Sequence, residues 1–163
     1  MTEQEEEFLH LAICIKNLNS SWRILQELKI QKTTPTLINV AFQFTLIEYS
    51  KSYKTSFGKT LDKKGKQRKY LLDTQFIPEE YLELHKRILI ARDQLHAHSD
   101  LTLLEANVYV IDSEYGKSIT YSSNIIYGTE EFENIELIID LIERTVDALY
   151  KKEKQIKQQL PLN

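Results

Sequence analysis

The chain has 163 residues, of which 42% are hydrophobic and 28% charged, and its net charge is −3. That is enough chain to bury a core within one domain, and no global basic field marks it for nucleic acid. A single cysteine excludes an internal disulfide, no run approaches the roughly 18 apolar residues of a membrane span, and the acidic start MTEQEEE does not read as a secretory signal; a cytoplasmic location is therefore expected.

Only four glycines and three prolines punctuate the chain, which favours long elements. Glu3 to about Lys29 reads as a helix. Phe8, Leu11, Ala12, Ile15, Leu18, Trp22, Leu25 and Leu28 recur in it at three- and four-residue steps, and its first turns are acidic, as the helix dipole favours. Asn17, Asn19, Ser20 and Ser21 predict a bend. Cys14, inside LAICI, reads as a small buried hydrophobe. Lys32 to Pro35 is a connection, with Thr34 as N-cap and Pro35 at the first helical position. A second helix is expected from Pro35 to about Phe57, with Leu37, Ile38, Ala41, Phe42, Thr45, Leu46 and Tyr49 as its stripe.

Gly58 to Lys69 is the one charge run, and its two glycines mark it as a loop. Two readings stand side by side: a solvated connector, or an arm whose Lys63, Lys64, Lys66, Arg68 and Lys69 contact phosphates. Pro78-Glu79-Glu80 opens a third helix lasting to about His98. Leu103–Asp112 and Lys117–Tyr127 are rich in Val, Ile, Tyr and Thr and predict a β-hairpin, with Gly116 supplying a positive φ in its turn. A last helix follows from about Glu130 to Gln158, capped by Thr129, on Ile135, Ile138, Ile139, Leu141, Ile142, Val146 and Leu149. Its polar end, from Lys151, is expected to fray into a tail over 151–163. Four amphipathic helices with short connections predict a mainly α fold, an up-and-down antiparallel four-helix bundle with the hairpin inserted between the third and fourth helices.

The chemistry concentrates in Tyr81–Asp100, which holds His85, His96 and His98, Arg87 and Arg92, and Asp93 and Asp100. Tyr81, Leu84, Ile88, Ala91 and Leu95 form the apolar stripe of this helix. With Ile88 at its centre, Arg92 lies about 40° to one side, His96 about 80° to the same side and His98 about 80° to the other. Arg92 thus stands at the edge of the core, where a guanidinium needs an anion. An anionic partner or several carbonyls meet that need, and the ordinary form is an internal salt bridge to a glutamate of the first or last helix. Ile90, among Glu83, Arg87 and Gln94, is an apolar residue on the polar face and points to contact with another chain.

The segment Arg92-Asp93-Gln94-Leu95-His96-Ala97-His98-Ser99-Asp100 resembles the signature of the HEPN superfamily, an Arg followed after four to six residues by a His. Its ending Ala97-His98-Ser99-Asp100 resembles the abortive-infection type of that superfamily. The resemblance implies a compact helical bundle that forms a homodimer, with two Arg…His motifs meeting across a cleft. It further implies a metal-independent endoribonuclease, acting as a toxin or phage-defence effector, with RNA as substrate and an antitoxin protein as a partner. In that scheme the RNA 2′-OH is the nucleophile, His98 transfers the proton and Arg92 holds the phosphate, which suits both residue types. Asp93 orients Arg92 or His98, and His96 is a second acid–base or a substrate contact. Asp100 departs from the Tyr found two residues after the His in HEPN proteins paired with minimal nucleotidyltransferases. The alternative within the same superfamily is a non-catalytic RNA-binding or protein-interaction module; outside it, an unrelated helical interaction protein. Zinc on His96, His98, Asp100 or His85 is disfavoured, because histidines two apart on a helix diverge by about 200°, so neither a metal nor a cofactor is expected.

Overall fold

The computed structural model describes residues 1–31, 34–96, 106–114, 116–123 and 129–160. Over them the chain is mainly helical, with four α-helices and two small antiparallel hairpins. Helix α1 spans Glu3–Ile30 and opens on a capping box, in which the Thr2 hydroxyl accepts from the Glu5 amide at 3.2 Å and the Glu5 carboxylate accepts from the Thr2 amide. The bend expected near Asn17–Ser21 does not interrupt it. Ser21 is fully buried instead, and its hydroxyl donates to the Thr45 carbonyl of the next helix at 3.2 Å. A small polar residue here marks a helix contact rather than a break.

Helix α2, Pro35–Lys51, starts on the expected Thr34 cap and Pro35. It stops at Lys51, not Phe57, because the chain turns through Ser52–Lys54 and is tied back to α1. The Ser52 hydroxyl donates to the Cys14 carbonyl at 3.2 Å, and the Cys14 thiol points at the Ser52 carbonyl at 3.8 Å. Leu37 is exposed, while Phe42, Thr45, Leu46 and Tyr49 are buried.

The basic segment is not a loop. It folds as a hairpin of β1 (Ser56–Leu61) and β2 (Gln67–Tyr70). Its turn is built by Asp62, whose carboxylate accepts from the Lys64 and Lys66 amides at 2.8 and 2.9 Å, and by Gly65 at φ 72°, a region favouring glycine. Glu6 of α1 clasps this hairpin. One carboxylate oxygen accepts from the Lys59 and Thr60 amides; the other accepts from the Thr60 hydroxyl at 2.6 Å and the Tyr70 hydroxyl at 3.0 Å. The Thr60 hydroxyl bond, aided by the backbone donors and opposed by desolvation, holds the Glu6 carboxyl down at about 2. Gly58 makes the clasp sterically feasible, since a Cβ there would meet Glu6 Oε2 at 2.2 Å.

Single 3₁₀ turns at Thr74–Phe76 and Glu79–Tyr81 lead into α3, Leu82–His96. The helix starts at Leu82 because Pro78 caps the 3₁₀ turn before it. The expected extension to His98 lies outside the described residues. The second hairpin pairs β3 (Ala106–Ser113) with β4 (Gly116–Ser123) in unbroken register, with Gly116 at φ 108°. Leu103–Glu105 and Asn124–Tyr127, expected to continue its strands, also lie outside the described residues. Val108, Val110 and Ile119 share one face and are exposed, as are Tyr109 and Ile111 on the other.

A 3₁₀ segment, Thr129–Asn134, precedes α4, Ile135–Gln159. Thr129 therefore opens the 3₁₀ segment rather than capping α4. The tail expected from Lys151 is helical to Gln159 instead: Ile156 is buried and Leu160 packs on the core, continuing the face of Leu149. The core joins α1 to α2 and α4, and α2 to α3, around Leu18, Leu25, Phe42, Ile88, Leu141 and Ile142. No helix among the described residues is long and apolar enough to cross a membrane.

Candidate functional site

Helix α3 buries Leu84, Ile88 and Ala91, which carries Arg92 to the margin of the core with its side chain 21% exposed. Its guanidinium bonds the carboxylate of Asp93, the next residue. Asp93 in turn takes Lys54 at 3.0 and 3.3 Å. Burial works against the Asp93 charge, but the bonds from Arg92 and Lys54 prevail and keep its carboxyl below the usual range. The salt bridge to a distant glutamate falls to Arg87 instead, whose Nε donates to Glu131 at 2.5 Å. Glu131 is buried and also accepts from Asn134 at 2.8 Å. Arg92 is therefore not spent on holding helices together, and its Nε is buried with no hydrogen-bond partner among the described residues.

Arg92 opens onto a hollow of about 280 Å³ between α1, the end of α2 and the following turn. His10, Cys14 and Asn17 of α1 line it with Lys51, Lys54 and Arg92, and no carboxylate is among its described lining residues. The cations are paired with carboxylates outside the lining: Glu48 with Lys51, and Asp93 with Lys54 and Arg92. Each carboxylate fixes a cation without occupying the hollow. Lys51 also lies in the last turn of α2, where the helix dipole favours positive charge. The arrangement can hold an anion of phosphate size through charge-assisted hydrogen bonds.

The other expected residues are dispersed. His96 ends α3, and His98 lies outside the described residues, as does Asp100. On the basic hairpin, Arg68 is half-buried and pairs with Glu3 at 2.7 Å, and Lys69 sits over the Phe57 ring at 5.8 Å. Lys63, Lys64 and Lys66 are exposed around the turn. Lys64, Lys66, Arg68 and Lys69 border a second hollow of about 480 Å³, shared with Glu3 and Asp62. His85 is a core residue: the Tyr49 hydroxyl lies 2.9 Å from its Nδ1, and the Tyr53 ring packs edge-on at 4.4 Å. Burial lowers its pKa to about 4. Among the described residues no group of three or more His, Cys, Asp or Glu side chains is placed to hold a metal ion.

Sequence reasoning missed His10, Lys51 and Lys54. His10 sits one turn before Cys14 on α1, away from the motif, and the two lysines fall within the helix expected to run to Phe57, whereas α2 ends at Lys51. The available signal was the cluster Lys51, Lys54 after Tyr49. Comparison with family models, with curated proteins and with solved structures returns no match.

Proposed function

We propose that this chain is a metal-independent endoribonuclease of HEPN type, built as an up-and-down four-helix bundle with a hairpin insertion. The observation that carries the reading is the hollow beside Arg92. A chain of net charge −3 concentrates Arg92, Lys51 and Lys54 around a concavity with no carboxylate in its described lining, as phosphodiester recognition requires. Arg92 holds the phosphate, Asp93 orients Arg92, and His96 and His98 at the helix end serve proton transfer. Attack by the 2′-OH on phosphorus leaves a 2′,3′-cyclic phosphate and a 5′-hydroxyl. Lys63, Lys64, Lys66 and Lys69 of the basic hairpin track the RNA backbone, while Arg68 is committed to Glu3.

The chain acts as a homodimer in the cytoplasm, as a toxin or phage-defence effector restrained by an antitoxin. Exposed Ile90 on α3 and the apolar hairpin face of Val108, Val110 and Ile119 supply surface that association would cover. Incubating the purified protein with RNA in EDTA tests the reading. Wild type is expected to cleave and Arg92→Ala and His98→Ala to lose cleavage. No cleavage by wild type, or equal cleavage by the variants, refutes the nuclease; RNA binding without cleavage then identifies a non-catalytic module. A monomer by light scattering refutes the dimer.

A further inference from the structure

We infer that His10 of α1 is the general base of the Arg92 hollow, so that one chain supplies both the phosphate-holding cation and the base, and the proton transfer given to His96 and His98 above is the one to the leaving oxygen. The inference rests on the nuclease reading above and deepens it. His10 and Arg92 come from elements far apart in sequence yet line the same 280 Å³ hollow. The placement also removes a geometric difficulty. On a straight helix Arg92 and His98 point about 120° apart, whereas a base on α1 reaches the hollow from a separate element.

The Cys14 sulfur lies 3.6 Å from His10 Nε2 and 3.8 Å from the Ser52 carbonyl, at the wall of the hollow. A neutral imidazole carries one lone pair and can take a proton. Burial keeps both groups neutral: it lowers the His10 pKa and pushes the Cys14 thiol up to about 11. Charges of both signs face His10: Lys51, Lys54 and Arg92 line this hollow; on its other side stand Tyr70, 5.6 Å between rings, and Glu3, Glu7, Asp73, Lys69 and Lys152. Glu7 is itself offset by Lys152.

The step balances without a metal or redox partner. The His10 imidazole takes the proton of the 2′-OH as the 2′-oxygen bonds to phosphorus. The P–O5′ bond breaks, O5′ takes a proton from the imidazolium of His96 or His98, and exchange with the solvent restores both histidines. Arg92 holds the non-bridging oxygens throughout.

The test uses the full chain with labelled histidines and two RNA oligonucleotides of one sequence, unmodified or fully 2′-O-methylated and so lacking the nucleophile. The methylated RNA is expected to shift the His10 ring resonances in wild type, and Arg92→Ala to abolish that shift. His10→Asn is expected to keep affinity for it within about threefold while kcat on unmodified RNA falls by about 10²–10⁴-fold. The acid limb of its pH–rate profile should vanish, with KM little changed. His10→Gln repeats the measurement should the Asn variant misfold, and unchanged resonances of the other histidines report folding. If His10→Asn cleaves like wild type with the same acid limb while Arg92→Ala is inactive, the inference falls and the nuclease reading stands. If wild type binds without cleaving, or does neither, both fall.

Discussion

Lowering the pH should destabilise this protein through His85, and replacing His85 by glutamine should remove that sensitivity. His85 is buried, its Nδ1 lies within hydrogen-bond distance of the Tyr49 hydroxyl and its ring contacts that of Tyr53, so its protonated form lacks solvation. Its pKa falls from 6.5 to about 4 on folding, chiefly through desolvation with the Lys86 charge adding to it. Between those values the unfolded chain binds a proton that the native state refuses. The stability is therefore complete above pH 6.5 and is lost as pH falls toward 4. From about pH 7.5 to pH 5 the ceiling is ~2 kcal/mol. Solvent screening reduces the expectation to about 1–1.5 kcal/mol. Urea denaturation of wild type and His85→Gln at both pH values measures it. Glutamine retains a polar partner for Tyr49 and does not titrate, and contributions from His10 are common to both proteins. Equal losses of stability in the two proteins would refute the reasoning.

Gly58→Ala should drive a Cβ into Glu6 Oε2 and the Tyr70 ring and lower Tm by at least about 3 °C in a thermal scan. The Glu6 clasp should also show in acid. Its folded pKa of about 2 lies below the usual 4.5, so its contribution is complete above 4.5 and lost as pH falls toward 2; Glu6→Gln should flatten that part of the pH–stability curve. Leu141→Ala, at a fully buried site where α4 meets the core, should cost about 2–5 kcal/mol by chemical denaturation. Lys51→Ala and Lys54→Ala should each reduce the slope of log affinity for single-stranded RNA against log salt by roughly 0.7, measured by fluorescence anisotropy.

The helices and their buried faces were legible because each apolar stripe is a local property, repeated at 3.6 residues per turn. Leu11, Ile15, Leu18 and Leu25 on α1, and Ile138, Ile139, Leu141, Ile142, Val146 and Leu149 on α4, are buried as their spacing predicts. So were the Thr34 cap and Pro35, which act within one turn. Boundaries set by distant partners were not legible. The end of α2 at Lys51 depends on Ser52 meeting Cys14, 38 residues away. The basic segment became a hairpin because Glu6 satisfies its backbone amides from α1, a contact invisible in a run of lysines.

The sequence by itself determined the mainly helical character, most of the buried helix faces and the position of Arg92 at the edge of the core, since all three follow from local periodicity. Only the tertiary structure decided which groups face Arg92. Glu131 took Arg87 as its partner, His85 went into the core, and His10, Lys51 and Lys54 came to Arg92 from two other elements. The physical reason is that helical periodicity orients a side chain on its own helix, whereas its partners depend on how separate helices pack and where each one stops.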